Sequence, residues 1–255
     1  MIDFTGKVAL VTGGSRGIGA ATVKAIAAAG GSVVIHYGSN KEAAMRVANE
    51  VGDENCHTVK CDLSVLAAAN ALWDDALAWK SRIDVVVNNA GIYCAENRAG
   101  PEADWHKVWQ RTLQVNLMAT ADLCRAAINH WRNRKSGGAI VNVASRAAFR
   151  GDSPDHWSYA ASKGGIISLT KTLARAYSSA GIYTYAVAPG FVLTDMVLEE
   201  FERDPGARAR VVSEIPYGDM APASDVANAI CFLASGLATH ATGQTIDING
   251  ASYVR

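Results

Sequence analysis

The sequence predicts an α/β fold: a doubly wound, seven-stranded, mostly parallel sheet with helices on both faces. Three observations predict it. Short β-branched runs alternate with helical stretches along the whole chain, as strand–helix–strand units do. The runs are mostly continuous in apolar residues rather than alternating, as strands buried on both faces require. A glycine-rich turn joins the first strand to the first helix. With 255 residues, 49% of them hydrophobic, the chain can bury a substantial core, and one domain over 1–255 is expected.

The elements follow in order. Lys7–Thr12 reads as a strand and 17–29 as its helix. Ser32–Tyr37 precedes a helix over 41–51, and His57–Lys60 one over 65–80. Ile83–Val87 leads to a long helical pattern over 103–133, whose Trp105, Trp109 and Trp131 suit burial in a core or an interface. Ala139–Ala144 is followed by a helix over 157–179, Ile182–Val187 by one over 223–234, and Thr245–Ile248 closes the sheet. The segment 191–221 is the least regular. Pro205, Gly206, Pro216 and Gly218 break it, and its charges (Glu199, Glu200, Glu202, Arg203, Asp204, Arg208, Arg210) read as solvated. A long irregular stretch in a compact domain is often a lid or binding loop; a plain surface excursion is the alternative.

The charge balance is even, 24 basic against 24 acidic residues. No electrostatic footprint for nucleic acid or membrane is expected. No apolar run reaches the roughly 20 residues that span a bilayer, and the first residues lack the pattern of a signal peptide. Five dispersed cysteines without a CxxC pair fit reduced thiols in a cytoplasmic protein. No metal site is predicted.

The turn Thr12-Gly-Gly-Ser-Arg-Gly-Ile-Gly19 sits where a strand runs into a helix, the context such a motif needs. Gly13 allows the tight turn, and Gly17 and Gly19 let backbone approach a phosphate held at the helix N-terminus. Ser15, Arg16 and Ile18 complete the loop. Sheets of this kind that bind NAD carry an acid about 20 residues on, for the ribose 2′-hydroxyl. No acid ends the second strand here. Arg16, His36, Ser39, Asn40 and Lys41 offer donors instead, a set suited to a 2′-phosphate. NADP is therefore expected, with NAD the alternative.

Tyr159 and Lys163 are four apart on a predicted helix and share a face, about 5–6 Å apart at Cβ. A free phenol, with a pKa near 10, is a poor base at neutral pH; a neighbouring ammonium favours its ionised form. It can then exchange a proton with a carbonyl or alcohol oxygen. The spacing Y-x-x-x-K is weak evidence, because Tyr37-Gly-Ser-Asn-Lys41 repeats it. That copy ends the second strand, where a nucleotide ribose would lie, and reads as non-catalytic. Ser145 ends another strand, at the sheet edge where ligands of such folds bind.

Taken together, these motifs resemble the short-chain dehydrogenase/reductase family over essentially the whole chain. The resemblance implies a single NAD(P)-binding Rossmann domain. It implies catalytic roles for Asn116, Ser145, Tyr159 and Lys163. Asp62 and Leu63 match the adenine contact; Asn88-Asn89-Ala90-Gly91 matches a segment that steadies the sheet and lines the cofactor. Lys163 would also hold the nicotinamide ribose. Pro189 and Gly190, with Val192 and Thr194, match the carboxamide clamp. The implied activity is NADP-dependent transfer of a hydride between nicotinamide and a carbonyl or secondary alcohol. Members acting on 3-oxoacyl thioesters look most similar, with sugar, polyol or cyclic alcohol dehydrogenases as the alternative. A small-molecule substrate and a homotetramer are expected. A nucleotide sensor without turnover would be expected to lose Tyr159 or Lys163, and both are present. Two departures stand out: Ser145 and Tyr159 are fourteen positions apart, one more than in many members, and the chain closes Gly250-Ala251 where a Gly-Gly is common.

Overall fold

The computed structural model describes residues 1–194, 197–198, 201, 204 and 206–255. Seven strands form one sheet: β1 (Val8–Val11), β2 (Ser32–Tyr37), β3 (Cys56–Lys60), β4 (Val85–Asn88), β5 (Gly138–Val143), β6 (Ile182–Pro189) and β9 (Thr245–Ile248). Their spatial order is β3-β2-β1-β4-β5-β6-β9, and every pair is parallel. The chain winds outward from β1 to β3, then returns beside β1 as β4. That reversal opens a crevice beyond the carboxyl ends of β1 and β4, the switch point at which such sheets bind ligands.

The pleat sorts each strand between two cores. Ala9 and Val11 of β1 pack with Ile26, Val226 and Ile230 under α1 (Gly17–Ala28) and α9 (Ala223–Ala234). Val8 and Leu10 face Leu72, Trp73, Leu123 and Trp131 under α3 (Ala68–Lys80) and α5 (Ala119–Asn133). Trp131 is thus an intrachain core residue; its indole N–H donates to the Ile83 carbonyl at 2.7 Å. Trp105 and Trp109 lie elsewhere, in an aromatic group with the half-exposed Trp157.

Helix α2 (Lys41–Val51) matches its expected span. The pattern over 103–133 forms one unbroken helical run, Glu102–Asn133, but not a regular α-helix throughout. It is α4 (Glu102–Leu113), a widened π turn at Gln114–Met118, and α5. Three further elements have no counterpart in the sequence reading: α6 (Ala147–Arg150), and the strands β7 (Val192–Leu193) and β8 (Ala221–Pro222), which form a small parallel pair. Within 191–221 the described part also includes α8 (Ala207–Ser213). The expected lid lies partly outside the described residues: 195, 196, 199, 200, 202, 203 and 205 are among its members.

Candidate active site

The glycine-rich turn is locked to the end of β4. The Asn89 side chain donates to the carbonyls of Thr12 and Gly13 at 2.9 and 3.1 Å. The Thr12 hydroxyl accepts from the backbone N–H groups of Asn89 and Ala90 at 2.9 and 3.0 Å. Gly13 and Gly17 have φ of 63° and 54°, the left-handed region where a Cβ is penalised. A Cβ on Gly19 would stand 2.1 Å from the Gly13 oxygen, so only glycine lets α1 start this close to the turn. No side chain caps α1 and no acid occupies its first turn. Its free N–H groups and dipole suit a phosphate.

This end opens into a cleft of about 820 Å³. Gly13, Ser15, Arg16, Gly17 and Ile18 form one wall; Ser39 and Asn40 lie at the rim of β2. Asp62 and Leu63 lie beyond β3, and Asn89, Ala90, Gly91 and Thr194 complete the lining. Asp62 accepts from the Ser64 hydroxyl and N–H at 2.7 and 2.9 Å, which lowers its pKa.

Two expected 2′-phosphate donors are corrected. His36 borders the cleft, but its ring is fully committed: Nδ1 accepts from the Gly13 N–H at 3.1 Å, so Nε2 carries the hydrogen to the Cys61 carbonyl at 2.9 Å. Burial lowers its pKa and keeps it neutral. His36 braces the glycine turn and has no donor left for a ligand. Lys41 starts α2 on the exposed surface and does not line the cleft. Asn40 also spends its side-chain oxygen, capping α2 through the Ala43 N–H. Lys60 and Arg111, which the sequence reading missed, do line it. Lys60 could have been found, because it ends a strand at the ligand-binding edge. Arg111 arrives on α4 with no local signal.

At the other end, Lys163 is buried and its ammonium donates to the Val143 carbonyl at 2.8 Å. It lies 5.7 Å from the Tyr159 ring centroid, one helical turn away on α7 (Trp157–Tyr177). A Cβ on Gly91 would sit 3.5 Å from Nζ, so the ammonium borders the Gly91 wall of the cleft. Burial lowers Lys163 to about 8 and raises Tyr159 to about 12; a hydrogen bond with Ser145 pulls the phenol back down. Ser145 follows β5, and its oxygen accepts from the Ala147 N–H at 3.1 Å. The π turn delivers Asn116: Oδ1 accepts from the Ile92 N–H at 2.8 Å, while Nδ2 donates to the Ile92 carbonyl and Ser162 Oγ at 3.0 and 3.2 Å. Such turns concentrate at functional sites. Beneath it, Asn88 and Asn142 pair across β4 and β5 at 2.9 Å, and Asn142 donates to Thr170 of α7.

Pro189 ends β6 and Gly190 follows it. The Pro189 oxygen accepts from Arg146 N–H, and Gly190 packs too tightly on Asn249 to carry a side chain. Val192 is buried in the β7 pairing. Tyr37 of the second Y-x-x-x-K is buried in β2, away from Tyr159.

Glu96 holds the start of α7. Its carboxylate is buried and accepts from the N–H groups of Trp157 and Ser158 at 3.0 and 2.7 Å, two donors a helix start leaves unpaired. Glu96→Ala is expected to cost about 2 kcal/mol, lowering Tm by about 4–8 °C. Thermal melting checks this, and kcat should fall as Tyr159 loses its fixed position.

A family model described as short chain dehydrogenase matches residues 7–205. The chain is 39% identical over 253 residues to a 3β-hydroxysteroid dehydrogenase of Eggerthella lenta, covering 97% of this chain and 94% of the relative. It is 36% identical over 251 residues to a 3-oxoacyl-(acyl-carrier-protein) reductase of Rickettsia felis, covering 98% of both. Two crystal structures superpose closely. One, described as a 2-deoxy-D-gluconate 3-dehydrogenase of Agrobacterium tumefaciens with bound NADP, gives a TM-score of 0.86 at 29% identity, covering 100% and 99% of the chains. The other, described as an NAD(P)-dependent gluconate 5-dehydrogenase of Beutenbergia cavernae with NADP at low occupancy, gives 0.87 at 32%, covering 98% of both.

Proposed function

The chain belongs to the short-chain dehydrogenase family, and from that premise we propose that it interconverts a carbonyl and a secondary alcohol using NADP(H). The observation that carries this is a cleft with a phosphate cradle at one end and the Gly91 wall at the other, against which stands Lys163, one helical turn from Tyr159 and its bond with Ser145. NADP(H) supplies the hydride acceptor or donor when bound. The turn from Gly13 to Gly19 and the start of α1 hold its pyrophosphate; Arg16 and Lys60 hold the 2′-phosphate. Ser145 binds the substrate oxygen. Tyr159 gives that oxygen a proton in reduction and takes it back in oxidation. Lys163 stabilises the phenolate by charge, and Asn116 ties the loop after β4 to α7.

Relatives that reduce 3-oxoacyl thioesters support that substrate class. A second reading, an oxidised or reduced sugar acid, draws support from the gluconate dehydrogenases among the structural neighbours and from Arg146, treated below. The whole of 1–255 acts as one domain, with 191–221 as its lid. No helix among the described residues is long and apolar enough to cross a membrane; we place the protein in the cytoplasm as a homotetramer, which light scattering tests.

Following nicotinamide absorbance with NADPH and NADH, across 3-oxoacyl thioesters, sugar acids and polyols, tests the reaction. Replacing Arg16 and Lys60 together with Ala is expected to lower kcat/KM for NADPH by about 10–100-fold, since each charged hydrogen bond contributes about 1.5–3 kcal/mol and exposure weakens it. NADH should be nearly unaffected. An equal loss for both cofactors would refute the 2′-phosphate assignment.

A further inference from the structure

Three buried charged side chains surround the reacting end of the sheet: Glu96, Lys163 and Arg146. Glu96 spends both oxygens on the start of α7, and Lys163 donates to Val143. Arg146 differs. Its side chain is 5% exposed, yet among the described residues Nη1 has no hydrogen-bond partner. Nη2 stands 3.7 Å from Glu214, beyond hydrogen-bond reach, and that carboxylate is 55% exposed and shared with Arg150 at 3.8 Å. Asp152 and Tyr93 act on the guanidinium only through space. A buried cation with an idle donor is costly unless a ligand completes it.

Its position is defined. Arg146 follows Ser145 directly, and its backbone N–H donates to the Pro189 carbonyl at 3.0 Å. Phe191 covers the guanidinium at 4.5 Å from ring centroid to central carbon. Glu214, just past α8, approaches from the same segment. The guanidinium therefore lies between Phe191 and Glu214, at the end of the sheet where Ser145 meets Tyr159.

We propose that Arg146 anchors a carboxylate on the substrate, so that the substrates are hydroxy or oxo acids in preference to neutral alcohols and ketones. The proposal rests on the oxidoreductase reading above, in its acid-bearing form. A guanidinium fork fits a carboxylate with two parallel bonds. In a dry site the same fork rejects an isostere that cannot complete it. Ser145 then addresses the reacting oxygen while its neighbour addresses the acid, and the two ends fix which carbon meets the nicotinamide.

The test pairs each acid with its neutral counterpart: D-gluconate with D-glucitol, and 3-hydroxybutyrate with 1,3-butanediol. Binding to the NADP-loaded protein is measured by calorimetry and turnover by absorbance, for the wild type, Arg146→Met and Arg146→Lys. At least one acid is expected to bind about 100-fold more tightly than its counterpart. Arg146→Met should abolish that preference while leaving the neutral ligand and NADPH binding unchanged, and Arg146→Lys should restore only part of it. If no acid outcompetes its counterpart in the wild type, the proposal is overturned whether or not the variants fold. Equal losses for acid and neutral ligand in Arg146→Met also overturn it. Failure of the oxidoreductase reading looks different: Arg146-dependent binding of an acid with no change in nicotinamide absorbance for any substrate.

Discussion

Tyr159→Phe is expected to lower turnover by about 10²–10⁴-fold, the usual contribution of a positioned acid or base, with NADPH affinity and Tm nearly unchanged. The ring keeps its edge-to-face contact with Tyr93 at 4.8 Å, so the substitution removes chiefly the hydroxyl and its bond with Ser145. The pH profile gives a second, sharper check. Burial holds the Tyr159 phenol near 12 and Lys163 near 8. At neutral pH both therefore carry their protons before anything binds. Reduction uses the phenolic proton as it stands. Oxidation needs it gone while the lysine stays charged, so the pair must first lose one proton. The ammonium stands 5.7 Å from the ring centroid, and a proton lost from two groups this close belongs to the pair. Oxidation should climb as pH rises toward about 8, and reduction should decline above it. Stopped-flow or steady-state rates in both directions, in wild type and variant, test this. Oxidation that falls with rising pH, or a variant within tenfold of wild type, would remove Tyr159 from its assigned role.

The sheet was legible because each strand carries its own signal: continuous β-branched runs such as Val33–Ile35 need no knowledge of their neighbours. The catalytic candidates were legible because order and spacing along the chain constrain them. What stayed hidden depends on contacts between distant segments. The pattern over 103–133 keeps helical periodicity through Gln114–Met118, so nothing local marks the turn that Asn116 and Ile92 hold together. His36 read as a free donor; only folding places it against Gly13 and Cys61. Glu96 lies 61 residues from the helix end it caps. Arg146 carries no local signal either; only the fold sets Phe191 over it and keeps Glu214 at a distance, leaving one nitrogen without a partner among the described residues.

Lys163→Met should separate stability from activity. The ammonium is buried, with one carbonyl as its hydrogen-bond acceptor and no carboxylate in ion-pair contact among the described residues. Burial lowers its pKa from 10.5 to about 8, so keeping the charged form in the folded chain at neutral pH costs ~3 kcal/mol. Methionine keeps the apolar stem and removes the charge. It loses the bond to Val143, about 1 kcal/mol. The net gain of about 2 kcal/mol corresponds to about 4–8 °C in Tm for the cofactor-free protein. The sign carries a pH signature. Between about 8 and 10.5 the unfolded chain holds a proton on this lysine that the folded chain has released, so wild-type stability rises with pH through that window. The variant's advantage should therefore be full below pH 8, vanish between about 9 and 10, and give way to a deficit of about 1 kcal/mol by pH 10.5, when only the lost bond to Val143 remains. Turnover below about pH 8 should fall by about 10² or more, because the phenolate loses its neighbouring cation. Calorimetric melting of both proteins across that range decides the matter. A variant less stable than wild type at pH 7, or an advantage undiminished at pH 10.5, would mean that Lys163 is not held at an electrostatic cost, and that the fold itself depends on its charge.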